Sequence, residues 1–225
     1  QRQMCIRDRY DADSCFETVK EFSETACVIV KHNNPCGAAI HENQLQAYID
    51  ARDCDPVSAF GGIVAFNTKV SKNVAEEISK TFIEVLIAPD YDSEAIEILA
   101  KKQNLRVLKS PEIINSTESS KDIKKVVGGV LYQDADDTSD EDFEDYKVAT
   151  KKQPSPEEIE TLKLAWKICK NVKSNAIVFA KDNKTVGIGA GQMNRVNSVQ
   201  LATIKASEHY GTEATVLASD AFFPF

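Results

Sequence analysis

The fold is decided by the stretch Val28-Ile29-Val30-Lys31-His32-Asn33-Asn34-Pro35-Cys36-Gly37, in which an apolar run passes into polar and turn-forming residues. Residues 26–30 are apolar and rich in β-branched side chains, which predicts a strand buried on both faces, as in parallel sheets. Lys31 and His32 follow at its carboxyl end, and Asn34-Pro35 with Gly37 predicts a turn. Ligands bind at the carboxyl ends of strands in open α/β sheets, so we expect a functional loop here.

Composition and charge limit the classes of function. The chain has 225 residues, of which 42% are hydrophobic, and this is enough to fill a globular core. Its net charge of −8 argues against nonspecific binding to nucleic acid or anionic membranes, which requires basic surface. No apolar run approaches the ~20 residues of a membrane span, and no signal segment opens the chain. We therefore expect a cytoplasmic protein.

The six cysteines do not have the spacing of a metal site or a disulfide framework. No Cys-x-x-Cys occurs, so we interpret them as reduced, mostly buried thiols. Pro35-Cys36 resembles half of the Pro-Cys-x-x-Cys of zinc deaminases. However, Ala39 occupies the second cysteine position and no His-x-Glu is present. Because a zinc site needs three protein ligands, we predict no metal.

The rest of the chain alternates between helical and strand patterns, which is typical of an α/β protein. Residues 1–10 show neither a helical nor a strand period, and we interpret them as an N-terminal scar that does not belong to the fold. Two subdomains are predicted, at 11–150 and 151–225. Ser155-Pro156-Glu157-Glu158 is a capping box, and it starts a helix whose Trp166 we expect in the core. Helices are predicted at 16–22, 43–52, 71–85, 94–102, 155–172 and 198–209, and strands at 63–66, 85–88, 105–108, 126–132, 176–180, 185–192 and 214–218.

The motif Lys-His-x-Asn-Pro-Cys-Gly resembles the signature of AICAR transformylase, the formyl-transferring part of a bifunctional purine-biosynthesis enzyme that also carries IMP cyclohydrolase. Three further blocks resemble the same family: Phe60-Gly61-Gly62, the segment 174–195, and Ser219-Asp220-Ala221-Phe222-Phe223-Pro224-Phe225. The resemblance implies layered mixed sheets with helices on both faces, arranged as cytidine-deaminase-like subdomains. It also implies a homodimer with shared active sites.

The implied reaction moves a formyl group from 10-formyltetrahydrofolate, a co-substrate, to the 5-amino group of AICAR, without a metal. Histidine titrates near neutral pH, so His32 suits the role of proton acceptor, and the adjacent Lys31 can stabilise an oxyanion. By the family match, Asn175 hydrogen-bonds the tetrahedral centre. The substrate contacts that the resemblance implies are Ser58, Phe60, Gly61, Glu84, Arg195, Phe222 and Pro224.

Two departures from the family pattern bear on activity. The Arg-Tyr-Gly segment expected to hold the nucleotide phosphate is absent, and the chain ends where the family continues, so we expect a fragment with little or no turnover and assign no cyclohydrolase activity. Two alternatives stay open: a non-catalytic nucleotide- or folate-binding module, and a deaminase-like hydrolase, against which the missing zinc ligands count. On spacing alone, Lys31 and His32 also fit a solvated strand end, and Glu84 a helix-end carboxylate.

Overall fold

The computed structural model describes residues 2–111, 121–136, 146–213 and 215–223. Within these ranges seven helices and ten strands alternate along the chain. The helices are α1 (Arg2–Lys20), α2 (Gln44–Cys54), α3 (Pro56–Ala59), α4 (Lys72–Ile78), α5 (Ser93–Leu99), α6 (Pro156–Lys170) and α7 (Arg195–His209). The strands are β1 (Ala26–Lys31), β2 (Asn34–Ile40), β3 (Ile63–Phe66), β4 (Val85–Ala88), β5 (Arg106–Lys109), β6 (Lys121–Val126), β7 (Gly129–Asp134), β8 (Ile177–Lys181), β9 (Lys184–Gly189) and β10 (Val216–Ser219).

Eight of the described strands form one mixed sheet in the order β10-β8-β9-β2-β1-β3-β4-β5. Strand β1 is antiparallel to both of its neighbours, β2 and β3, whereas β3, β4 and β5 are parallel to one another. The expectation of a parallel environment for residues 26–30 is therefore wrong. The strand is buried on both faces because helices cover both sides of the sheet, whatever the direction of its neighbours.

Alternate residues of β1 enter opposite apolar layers, as the two-residue period of a strand requires. Val28 and Val30 pack with residues of α1 and α6 on one face. Cys27 and Ile29 pack with residues of α2, α4 and α5 on the other, and α7 covers the second hairpin on that same side. The predicted class, an α/β protein with a mixed sheet and helices on both faces, is confirmed.

The two halves of the sheet repeat one helix–strand–strand–helix–strand unit. The hairpin β1–β2 lies between α1 and α2, and the hairpin β8–β9 lies between α6 and α7. The turn residues His32 and Asn33 have φ angles of 54° and 60°, and Asp182 and Asn183, 150 positions later, have 50° and 57°. The units meet where β2 pairs with β9, so the sheet runs continuously through both predicted subdomains.

The same close contact recurs in both units between a strand glycine and the following helix. A Cβ on Gly37 would lie 1.8 Å from the Ala51 carbonyl oxygen, and one on Gly187 would lie 2.1 Å from that of Ala202. These distances are too short for any side chain. Glycine therefore sets how closely α2 and α7 approach the sheet.

Three predicted elements differ from the observed ones by more than small shifts of their ends. Helix α1 begins at Arg2, although residues 1–10 show no helical period; no proline or glycine interrupts residues 2–20, so the helix extends from its packed end. The helix predicted at 71–85 ends at Ile78, before β4. Residues 126–132, predicted as one strand, contain the turn between β6 and β7 at Val127-Gly128.

Trp166 does not lie in the core, and that expectation is wrong. The residue is 47% exposed, whereas Leu164 and Ile168 of the same helix are fully buried. Helix α6 has an apolar stripe wider than the face it packs against the sheet. Trp166 instead lines an apolar groove of about 630 Å³ with Leu162, Leu217 and other residues.

Candidate active site

One edge of the sheet carries nearly all the residues that the sequence singled out. The alternating strand directions bring the end of β1, the starts of β3 and β4, the start of β8 and the end of β10 to this edge. It therefore carries Lys31, Gly61, Glu84, Asn175 and Asp220. We call it the site edge.

The predicted functional loop is a two-residue hairpin turn. His32 and Asn33 both have left-handed backbone, and β2 begins at Asn34, so the residues from Pro35 to Gly37 lie in a strand rather than in a loop. The register shifts between Ile29 and Val30, which places Pro35 at an irregular position where proline is tolerated. Because the chain reverses at His32, the consecutive side chains of Lys31 and His32 line one cleft.

Lys31 is held against the segment that precedes β3. Its Nζ donates a hydrogen bond to the Phe60 carbonyl oxygen at 2.5 Å. The next residue, Gly61, has φ of 71°, and a Cβ there would lie 3.9 Å from the same Nζ. The ring of Phe60 packs against Phe82 with centroids 5.6 Å apart. The lysine ammonium is thus fixed beside a backbone that can approach a ligand closely.

The cleft between the two halves has a volume of about 180 Å³ and contains a partly buried ion pair that the sequence did not reveal. Asp55 accepts hydrogen bonds from the Ser58 backbone nitrogen at 3.0 Å and from the Ser58 hydroxyl at 2.7 Å. The Lys205 ammonium, from α7 in the other half, lies 3.0 Å from the Asp55 carboxylate. Burial alone would raise the pKa of Asp55, but the hydrogen bonds from Ser58 and Lys205 outweigh it and lower that pKa.

Asp55 was detectable from the sequence and Lys205 was not. Aspartate before a proline is a common start of a short helix, and Asp55 does cap α3. Lys205 occupies a helix position that carries no local signal. Its role follows only from the packing of α7 beside β9 and α2.

Cys36 lines the same cleft and is partly buried there. Its Sγ donates to the Ile29 carbonyl oxygen at 3.5 Å. Burial, with the nearby Cys54 and Asp55, raises the pKa of the Cys36 thiol well above its usual value. A protonated thiol is a poor nucleophile.

A second cluster at the site edge is built on β8, β10 and α7. The Asn175 side-chain nitrogen donates to the Gln192 carbonyl oxygen at 2.7 Å. Arg195, which is 9% exposed, forms an ion pair with Asp220 and donates to the Ser219 hydroxyl at 3.0 Å. Burial would raise the pKa of Asp220, but hydrogen bonds from Ser174 and Arg195 lower it. The Arg195 cation therefore has a protein partner at the site edge.

Lys173 connects the two clusters. Its backbone nitrogen donates to the Asn34 side-chain oxygen at 2.9 Å, and its carbonyl oxygen accepts from Gly191 at 2.9 Å. With the Asn33 amide oriented so that its oxygen accepts from the Lys173 ammonium at 3.2 Å, that side chain also links the first turn to the second half. The turn at His32 is thus held by the segment that leads to Asn175.

The remaining predicted contacts are less closely grouped. Glu84 begins the segment into β4 and pairs with Arg106 at 3.2 Å. Phe222 follows β10 at the site edge and is 82% exposed. Pro224 lies outside the described residues. Within the described ranges, no three His, Cys, Asp or Glu side chains are grouped so that they could hold a metal ion.

These features define an α/β protein with a polar cleft between two repeated units. The family model of the AICARFT/IMPCHase bienzyme matches residues 2–205, and the chain belongs to that family. Among the helices that the structure describes, none has the length and apolar character needed to cross a membrane.

Curated relatives extend the match to the whole chain. The bifunctional purine biosynthesis protein PurH of Thermoanaerobacter sp. (strain X514) is 50% identical over 224 residues, which cover 100% of this chain and 43% of the relative. PurH of Magnetococcus marinus is 47% identical over 100% of this chain and 44% of its own length. The chain thus spans less than half the length of these relatives. Among solved structures, RibD of Acinetobacter baumannii aligns with 47% of this chain and 36% of its own at 20% identity, with a TM-score of 0.35.

Proposed function

We propose that this chain forms part of a purine-biosynthesis enzyme and carries groups that transfer a formyl group from 10-formyltetrahydrofolate to the 5-amino group of AICAR. The observation that carries the proposal is that Lys31 and His32 line one cleft at the site edge, with the Lys31 ammonium fixed by the Phe60 carbonyl. Membership of the AICARFT/IMPCHase family supports the choice of reaction.

The chemistry requires a base and a cation at adjacent positions. The amine nitrogen attacks the formyl carbon, and negative charge grows on the formyl oxygen, where Lys31 stabilises it. His32 accepts the proton that the amine loses and returns a proton to the folate nitrogen as its bond to the formyl carbon breaks. Asn175 stabilises the tetrahedral centre.

The surroundings of the cleft suit a folate and a second subunit. Phe60 and Phe222 are exposed at the site edge, where a flat pterin ring or a partner chain would cover them. The proposal therefore includes AICAR and folate as small-molecule partners and a cytoplasmic homodimer with shared sites. Ser58, Gly61, Glu84 and Arg195 are proposed as substrate contacts.

The test is a rate measurement in a chimera in which this chain replaces the matching segment of the Thermoanaerobacter relative. His32→Ala should lower kcat by about 10²- to 10⁴-fold, the usual contribution of a general base, while folate binding persists. His209→Ala is the matched control, since this histidine is also exposed and lies in the last turn of α7. It should leave the rate unchanged.

Three results would contradict the proposal. An unchanged rate in His32→Ala would show that His32 is not the proton acceptor. Folate binding without any formyl transfer by the folded chimera would favour a non-catalytic binding module. Stoichiometric zinc in the purified protein would favour a hydrolase.

A further inference from the structure

Each hairpin of the repeat has its turn held by one side chain from the preceding helix. In the first half, the Asp11 carboxylate on α1 accepts the His32 backbone N–H at 3.0 Å. In the second half, the Thr161 hydroxyl on α6 donates to the Asn183 side chain at 3.3 Å and lies 3.4 Å from the Asn183 backbone nitrogen. Asp11 and Thr161 are 150 positions apart, like the turns they hold, so they are equivalent positions.

The second half shows what such a turn requires for its own stability. Its two residues have the same left-handed backbone as His32 and Asn33, and a neutral hydroxyl holds them. A neutral hydroxyl is thus sufficient to hold such a turn, and the charge of the Asp11 carboxylate is not needed for that purpose. Asp11 is 6% exposed, and its Oδ1 has no hydrogen-bond partner among the described residues. Burying a carboxylate with an unpaired oxygen costs free energy that the hydroxyl of Thr161 avoids.

The two turns also differ in where they lie. Strands β1 and β8 run in opposite directions in the sheet, so the turn after β1 is at the site edge and the turn after β8 is at the opposite edge. The buried carboxylate is therefore found at the turn that carries His32. Its equivalent at the distant turn is neutral.

We propose that Asp11 is a positioning residue for His32: its carboxylate fixes the His32 backbone in the turn and places a negative charge near the imidazolium that forms when His32 accepts the amine proton. The inference rests on the proposed function, which gives His32 that proton. Lys31 and Lys173 flank the same turn, so without Asp11 the imidazolium would form among positive charges. A charge shielded from water acts more strongly than an exposed one.

Two substitutions separate charge from backbone support, measured in the chimera described above. Asp11→Asn keeps a hydrogen-bond acceptor of the same size but loses the charge, and Asp11→Thr copies the solution of the second half. Both should remain folded, with the thermal midpoint as the check. We expect kcat to fall about 10- to 100-fold in each, the usual loss when an outer hydrogen-bond partner of a functional histidine is removed, with KM within about twofold.

The matched control is Thr161→Ala, which removes the support of the distant turn and should lower stability without changing kcat. Asp11→Asn should cause no further loss of rate in a His32→Ala background, because Asp11 acts through His32. Wild-type kcat in Asp11→Asn and Asp11→Thr would overturn the inference, and so would an equal loss in both backgrounds. If His32→Ala itself keeps the wild-type rate, the proposed function fails instead.

Discussion

Gly37→Ala tests the packing that builds the cleft, because Gly37 fixes the approach of α2 to β2. An alanine Cβ would lie 1.8 Å from the Ala51 carbonyl oxygen and 3.2 Å from Cβ of Cys54. Side-chain Cβ atoms essentially never come within 3.0 Å of such an atom, so the helix must move by about 1.2 Å, the difference between the two distances. The atom in the way is backbone and has no alternative rotamer.

The cost follows from that displacement. Overpacking a well-filled interior typically costs about 1–3 kcal/mol, and we expect the upper end because a whole helix must shift. With a urea m-value of about 3 kcal/mol per molar, the midpoint of unfolding should fall by about 1 M. The measurement is a urea titration of the 225-residue chain followed by far-UV circular dichroism.

Gly129→Ala is the matched control, since a Cβ at Gly129 meets nothing within 4 Å. Its midpoint should stay within about 0.2 M of wild type, as expected for a surface substitution. Gly187→Ala should repeat the loss in the second half, where the Ala202 carbonyl oxygen lies 2.1 Å from the added Cβ. A wild-type midpoint for Gly37→Ala would refute the close contact between α2 and β2.

Two further predictions concern the charges and thiols of the cleft. Lys205→Met should reduce the free energy of unfolding by about 1–3 kcal/mol, because it leaves the largely buried Asp55 carboxylate without its cation. Breaking the exposed ion pair in Lys72→Met should leave the urea midpoint close to that of wild type. The pKa of Asp55 is lowered on folding, so the stability lost in Lys205→Met should be lost at pH values above 3.8, the ordinary pKa of aspartate, and the loss should shrink as the pH falls below it. A loss of stability that is undiminished at pH 2 would contradict the pairing. In a Cys5→Ser background, a thiol reagent at pH 8 should label the folded chain slowly and the urea-unfolded chain fully. The reason is that burial raises the pKa of the Cys36 thiol and raises that of Cys54 to about 12, so both thiols stay protonated at pH 8. Rapid labelling of the folded chain would contradict this.

Local sequence signals predicted the elements whose causes are local. Both hydrogen bonds of the capping box between Ser155 and Glu158 are present, and α6 begins at Pro156 as predicted. Strand β3 has the predicted bounds of 63–66, and Asn43 caps α2 through its side chain. The hydrogen bonds of both helix caps join groups that are at most three residues apart in the sequence, so a short stretch of sequence is enough to predict them.

Predictions failed where distant contacts decide the outcome. The apolar stripe of α6 does not reveal which side of the helix faces the sheet. Trp166 is half-exposed, whereas Lys167 is 6% exposed and its ammonium lies over the ring of Phe22. The residues after His32 form a strand because β1 lies beside them and β9 pairs on their other side. Neither neighbour is visible in the motif.

The candidate site shows the same division. The motif identified Lys31 and His32, and the structure places both at one cleft. The motif did not identify Asp11, which lies 21 residues before His32, or Lys205, which belongs to the other half of the repeat. Their contacts exist only once the sheet has formed.

The repeat gives one scaffold two equivalent turns, and the proposed function concerns only the one at the site edge. Two equivalent hairpins face opposite edges of the sheet, so residues can change at one turn without affecting the other. At the distant turn the hydroxyl of Thr161 satisfies the backbone, and at the site edge the carboxylate of Asp11 does so with an oxygen left unpaired. A buried polar atom without a partner calls for an explanation, and the proposed charge beside His32 supplies one. The second half is therefore an internal reference for the first, and residues that differ between equivalent positions indicate where function, rather than folding, sets the choice.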